Sequence, residues 1–259
     1  MIKVLLLLVA TASGCADSGS QPVSTNIIIE DPEPGLFKPG SWQHFLQTLP
    51  VKNGSIADYA GKPVSNPGKA FKIIDYDIGK RDLQQCADAI MRLRAEYLFM
   101  HKRYSEIEFH FTSGHLFTFL AYCNGSRPVV TGNQVKFTQH GQIIQPAHAG
   151  LRNYLDIVYA YAGTISLAKE LKKVNRLSIG TVIIKAGSPG HCSIIIDQAV
   201  TSTGEKVYKL AEGYTPAQSI YVLRNLKKPA MGAWHTIEEK KDIETASYYF
   251  DSYQLGVFE

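Results

Sequence analysis

The sequence predicts an α+β fold, an antiparallel strand meander packed against helices. Helical segments come first, and the last third carries four strand-like runs: Thr181 to Ala186, Cys192 to Asp197, Lys206 to Glu212 and Ser219 to Leu223. The links between these runs are short and rich in Gly, Pro, Ser and Thr. Neighbouring strands therefore double back rather than cross over through helices. The run Ile194-Ile195-Ile196 has no alternation, which predicts a strand covered on both faces.

Along the chain, Trp42, Phe45, Leu46 and Leu49 fall at helical spacing between Gly40 and a closing Pro50. Ala70 to Ile78 has β character before a Gly79 turn. Asp82 then suits the N-cap of a helix running to Met100, with Leu83, Cys86, Ala87, Ile90, Leu93 and Tyr97 as its apolar stripe. On that pattern Arg92 and Arg94 belong to a solvated face. Glu106 to Leu120 reads as a hairpin about Ser113-Gly114. Gly125 to Pro146 is polar and loop-like, with Cys123 just before it at a strand end, and Leu151 to Val174 is a long helix interrupted at Gly163. Tyr161, Thr164 and Gln218 read as satisfied buried polar groups. No internal repeat is evident.

The chain start organises the rest. Lys3, the apolar run Val4 to Ala10 and the small residues of Thr11-Ala12-Ser13-Gly14 have the form of a secretory signal. The apolar run is far short of the roughly 20 residues that span a bilayer. Ala12-Ser13-Gly14 directly before Cys15 resembles the bacterial lipobox, with Ala12 where leucine is usual. The resemblance implies cleavage before Cys15 and a lipid on its sulfur, which would hold the protein on a membrane of the cell envelope. The expected organisation is a signal at 1–14, a Ser-, Pro- and Gly-rich tether at 15–35, and one domain over 36–259. A net charge of +4 with no basic stripe argues against nucleic acid as a partner.

Most catalytic motifs are absent: there is no Gly-x-Ser-x-Gly, no phosphate-binding glycine loop and no His-Glu-x-x-His. His110 and His115 share a hairpin face but lack a third ligand, so no metal and no cofactor is expected. What remains is a thiol and an imidazole. Cys86 falls in the first turns of a helix, where partial positive charge favours the thiolate. His191 follows Gly187-Ser188-Pro189-Gly190 at the mouth of an apolar strand, exposed enough to meet a substrate. Pairing across the Thr203-Gly204 turn brings Glu212 and Tyr214 beside it, and a carboxylate there would orient the imidazole. Each residue also has a purely structural explanation. Cys86 lies on an apolar stripe, His191 follows a turn and could bond backbone, and Cys192 points into the core.

A cysteine on an early helix and a histidine on a later strand resemble the papain-like fold, and within it the NlpC/P60 and CHAP peptidoglycan hydrolases. Ile179 to Ile184 followed by Gly190 to Ile196 is similar to their strand pair around the catalytic histidine, with Thr181 where an aspartate is usual. The resemblance implies Cys86 as nucleophile, His191 as general base and Glu212 as orienter, cleaving an amide in a peptidoglycan stem peptide or another envelope molecule. The alternative is a non-catalytic envelope module on the same fold, binding a glycan, peptide or protein.

A broader resemblance spans nearly the whole domain. DLQQCADAIMRLRAEYL (82–98), YAGTISL (161–167), PGHCSIIID (189–197) and YTPAQSIYVLRN (214–225) look like a family of uncharacterised bacterial secreted and lipid-anchored proteins, a domain of unknown function. Two departures stand out: Glu212 where that family is expected to carry Gln, and Cys192 where a small apolar residue is usual.

Overall fold

The computed structural model describes residues 29–30 and 37–259. The expected signal, Cys15 and most of the tether lie outside the described residues. Among these, five α-helices and an antiparallel sheet with a strand meander make up a mixed α+β fold. No helix among them is long and apolar enough to cross a membrane.

The sheet contains ten strands: β1 (Ile29–Glu30), β2 (Val51–Lys52), β3 (Ala70–Ile74), β4 (Lys172–Val174), β5 (Val182–Lys185), β6 (His191–Thr201), β7 (Lys206–Glu212), β8 (Tyr221–Leu223), β9 (Trp234–His235) and β10 (Gln254–Val257). Their order is β2-β3-β8-β7-β6-β5-β10-β4, with β1 added to the far end of β6 and β9 to β7. The centre, β5 to β8, is the predicted meander in chain order. Ile194, Ile195 and Ile196 are all buried, as their lack of alternation predicts.

Helix α1 (Trp42–Gln47) is capped by Ser41, whose Oγ accepts the His44 N–H at 3.2 Å, and buries Trp42, Phe45 and Leu46. Helix α2 (Cys86–Met100) starts three residues later than the sequence suggests. Gln85 is its N-cap and donates its backbone N–H to Asp88 Oδ2 at 3.0 Å. Asp82 is engaged elsewhere, accepting the Ala217 N–H at 2.7 Å, so it ties the chain after β7 to the approach of α2.

Arg92 and Arg94 are not on a solvated face. Nearly every side chain of α2 is buried, because the sheet packs on one side and later helices on the other. Arg92, 1% exposed, donates to Glu96, to the Asp77 carbonyl at 3.1 Å and to Gln84 Oε1 at 3.2 Å. A guanidinium with its donors met in this way tolerates burial, and a periodicity count has no means of registering those partners. Arg94 lies over the rings of Trp42, Tyr97 and Phe258.

Other differences have local causes. The 125–146 segment is not all loop: Ser126–Thr131 pairs with Gln134–Gln139, a hairpin whose strands are mostly exposed and so lack an apolar face. Cys123 closes the short helix α3 (Phe119–Cys123) rather than a strand. The predicted hairpin about Ser113-Gly114 is present, pairing Glu108–His110 with Leu116–Thr118. The long helix over 151–174 is two, α4 (His148–Tyr161) and α5 (Thr164–Glu170), parted at Ala162-Gly163 as foreseen, and its end is strand β4. The β run at 70–78 is strand only to Ile74.

Candidate active site

Three elements meet at one end of the sheet: the N-terminus of α2, the start of β6 and the end of β7. Register fixes two of the residues. Strands β6 and β7 pair Ile194 with Ala211, which sets Glu212 beside the entry to β6. Glu212 Oε2 accepts from His191 Nε2 at 3.0 Å and from Ser193 Oγ at 2.8 Å. Its other oxygen, Oε1, accepts from the Tyr221 hydroxyl at 2.6 Å. The carboxylate is 0% exposed and each of its oxygens receives a donor, the condition under which a buried charge is tolerable.

Two glycines allow the elements to approach. A Cβ on Gly213, the residue after Glu212, would lie 2.9 Å from Ala89 Cβ and 3.0 Å from the Gln85 carbonyl oxygen. The end of β7 therefore rests directly on the first turn of α2. A Cβ on Gly190 would lie 2.4 Å from Thr164 Oγ1. Thr164 donates to the Gly187 carbonyl at 3.1 Å and accepts the Gly187 N–H at 3.3 Å, clamping the turn that delivers His191.

Cys86 occupies the first position of α2, with the His191 ring and the Cys192 thiol near enough to act on its proton. Cys192, expected only as core, is core and also a neighbour of this sulfur. With His191 Nε2 held by Glu212, Nδ1 is left for Cys86. The hydrogen bond from Cys192 favours the Cys86 thiolate most, burial opposes it, and His191 and the Ala87 N–H add to the first, so the thiol is pulled down to about 5. Burial opposes the imidazolium of His191, but Glu212 and Cys86 outweigh that and push it up to about 9. Glu212 is likewise penalised by burial, yet His191, Ser247 and Tyr221 hold it below the usual carboxylate range. Burial and the adjacent sulfur keep Cys192 a neutral thiol. Both shifts favour thiolate and imidazolium as the neutral-pH form of the pair.

His191 is not exposed, as the sequence suggested, but 2% exposed. Rings of Tyr248, Tyr214 and Phe250 surround it, with centroids at 4.8, 5.1 and 5.7 Å. Nor is it a turn residue bonded to backbone. Access runs through a cavity of 640 Å³ whose walls include Cys86, Asp88, Tyr159, Thr164, His191 and Tyr214. Lys69 Nζ stands 4.0 Å from the Tyr214 ring centroid and 5.2 Å from that of Tyr221, behind Glu212.

Sequence reasoning brought Cys86, His191, Glu212 and Tyr214 together and missed Ser193, Tyr221, Tyr248 and Cys192 as site members. Ser193 was within reach of it, since a residue two positions beyond His191 shares its strand face. Of the buried polar groups, Thr164 is satisfied, whereas Gln218 Nε2 has no partner and Tyr161 is 38% exposed. Thr181 Oγ1 accepts the Ser178 N–H and serves a turn. The hairpin histidines stay apart, His110 on Glu170 and His115 on Ser113.

Counting protons gives the pH dependence. The depressed thiol contributes stability above its ordinary 9.0, lost as pH falls through about 5. The raised imidazole contributes below its ordinary 6.5, lost as pH rises through about 9. Taken as a pair, folded and unfolded forms both hold one proton between 6.5 and about 9. The unfolded form holds one more only between about 5 and 6.5. The pair is therefore expected to add about 2 kcal/mol of stability across that window and then stay level. Urea unfolding at pH 5, 6.5 and 8 checks this as the difference between the parent and Cys86→Ala, which cancels the other titrating groups such as Asp88.

No curated protein and no solved structure matches the chain. A family model does, over residues 35–256, and the four strings singled out in the sequence all fall within that span. The chain belongs to the family described as Domain of unknown function (4846).

Proposed function

We propose that this protein is a cysteine hydrolase or acyltransferase acting on amide bonds, with Cys86 as nucleophile, His191 as general acid and base and Glu212 as orienter. One observation carries the reading. A thiol at a helix N-terminus, on a cavity wall, lies beside an imidazole whose other nitrogen is held by a buried carboxylate at 3.0 Å. Structural cysteines are inert in apolar surroundings, and this one is drawn to the thiolate by its neighbours. The chain order, with a cysteine on an early helix, a histidine on a strand and a carboxylate on the next strand, supports a papain-like relation.

In this reading Cys86 Sγ attacks the carbonyl carbon, and the first-turn N–H groups of α2, which have no intrahelical acceptor, receive the oxyanion. The C–N bond breaks as His191 passes its proton to the leaving amine. Water then gives a proton to His191 and its oxygen to the thioester, releasing the acid and restoring the thiolate. Glu212 stays ionised throughout and fixes which ring nitrogen faces Cys86.

The chain start extends the proposal. A lipid on Cys15 would hold the domain against a membrane of the cell envelope, where peptidoglycan stem peptides supply such amides.

Iodoacetamide labelling of the folded domain at pH 6, resolved by residue with mass spectrometry, tests the chemistry. Cys86 is expected to react first, with Cys123 and Cys192 reacting only on unfolding. Labelling of Cys86 that also waits for unfolding would remove the enzyme reading and leave a binding module.

A further inference from the structure

The cavity beside Cys86 has a chemical bias that catalysis alone does not require. Its charged walls are Asp82 and the Cys86–His191 pair, and among the described residues no Lys or Arg lines it. With Glu212 behind His191, thiolate, imidazolium and carboxylates sum to a net negative site. A substrate anion would find no counter-charge there beyond an imidazolium already held by Glu212.

Two groups in the same walls are unfinished. Asp88 is 5% exposed, and only its Oδ2 is used, by the Gln85 N–H that caps α2; Oδ1 is buried with no partner. The Tyr159 hydroxyl is also buried with no partner, and the charges of Arg92 and then Asp88 act on it, Arg92 being already engaged by Glu96, Gln84 and the Asp77 carbonyl. Buried polar atoms without partners are rare in folded proteins, and each costs roughly 1–3 kcal/mol. Two of them in one cavity wall beside a nucleophile mark where a ligand's donors would go. The unmet burial is felt by the groups themselves, since it holds the Asp88 carboxyl well above the usual carboxylate range and keeps the Tyr159 phenol neutral.

Resting on the hydrolase reading above, we infer that Asp88 and Tyr159 form a subsite for a primary ammonium group on the substrate, next to the bond that Cys86 attacks. An ammonium would draw off the Asp88 proton, supply N–H donors to Asp88 Oδ1 and to the Tyr159 oxygen, and suit a cavity with no Lys or Arg in its walls. The substrate class is thus an amide bearing a nearby free amine, either an α-amino group or an amine-bearing side chain.

The test uses three methanethiosulfonate reagents of similar size on the whole protein, with a primary ammonium, a quaternary ammonium and a neutral head. Rates at Cys86 are divided by those of a small free thiol, which removes each reagent's intrinsic reactivity. The primary ammonium reagent is expected to be favoured over the neutral one by about tenfold more than at the free thiol, as hydrogen bonds to a charged group would give. The quaternary reagent, which has no N–H, is expected to lack that gain. In Asp88→Asn, which retains an oxygen for the Gln85 cap, the preference is expected to collapse, and in Tyr159→Phe to weaken. Thermal midpoints near that of the parent show that both variants fold.

A preference no greater than that of the free thiol overturns the subsite while leaving the activated thiolate in place. Equal gains for both cations, or a preference that survives both substitutions, overturn it too, since a diffuse field would suffice. If no reagent reaches Cys86 in the folded protein, the hydrolase reading fails, and the subsite with it. Should the subsite hold, short amides with an α-amine and with a side-chain amine, each at matched distance, decide which source it takes.

Discussion

In His191→Ala, alkylation of Cys86 is expected to slow roughly tenfold at pH 6 and to overtake the parent above about pH 7. The crossing follows from two opposed effects. The strongest influence on Cys86, the Cys192 hydrogen bond, is largely offset by burial, so removing the imidazolium moves the thiol up, with its ordinary 9.0 as the upper limit. At pH 6 the parent is then about nine-tenths thiolate, and at that limit the variant is about one part in a thousand. A more basic thiolate is also a better nucleophile, with a Brønsted slope of about 0.4–0.5, which over about four units returns roughly fiftyfold. The remaining deficit at pH 6 is roughly tenfold, and it vanishes once the variant ionises appreciably. Rates measured from pH 5 to 9 check the prediction. Parallel profiles would mean that His191 does not control the thiol, whereas a variant slower at every pH would point to lost access.

The parts of this site legible in the sequence were those set by local rules. A turn at Thr203-Gly204 fixes which residue of β7 comes back beside His191, so Glu212 followed from strand pairing alone. Cys86 followed from the start of a helix, although the cap is Gln85 and not Asp82. Asp82 has the right side chain for a cap, and a long-range acceptor role on Ala217 claims it instead.

What was not legible depended on packing between distant segments. Periodicity assigns every amphipathic helix a wet face, and α2 has almost none, so Arg92 was misplaced by a rule that has no knowledge of Glu96, Gln84 and the Asp77 carbonyl. The exposure of His191 was misjudged for the same reason. Tyr248 and Phe250 cover it from a hairpin of Ile243–Glu244 with Tyr249–Phe250, whose two-residue strands are too short to show any period. Cys192 reads from sequence as a buried strand residue, and it is one. Its second role exists only because α2 places another sulfur against it.

Glu212 separates the need for a charge from the need for an acceptor. Glu212→Ala is expected to cost roughly 3–5 kcal/mol of stability in urea unfolding, the usual result of removing one partner of a buried ion pair. It would strand His191 Nε2 together with the hydroxyls of Ser193 and Tyr221, all in the interior. Glu212→Gln should be far milder, because an amide can keep the same contacts with one reversal. Its oxygen accepts from His191 and Ser193, and its NH2 donates to the Tyr221 oxygen. Tyr221 can then turn its own proton to Ser247 Oγ, 3.2 Å away. The charge is lost all the same, and among the groups that raise His191 Glu212 is the strongest. In Glu212→Gln the imidazolium weakens, and the onset of Cys86 labelling should move to higher pH while the fold stands. If Ala and Gln destabilise equally, the charge itself holds this corner together. If Gln is mild and leaves the labelling profile unmoved, Glu212 only orients the ring, and Cys192 with the helix N-terminus accounts for the thiolate.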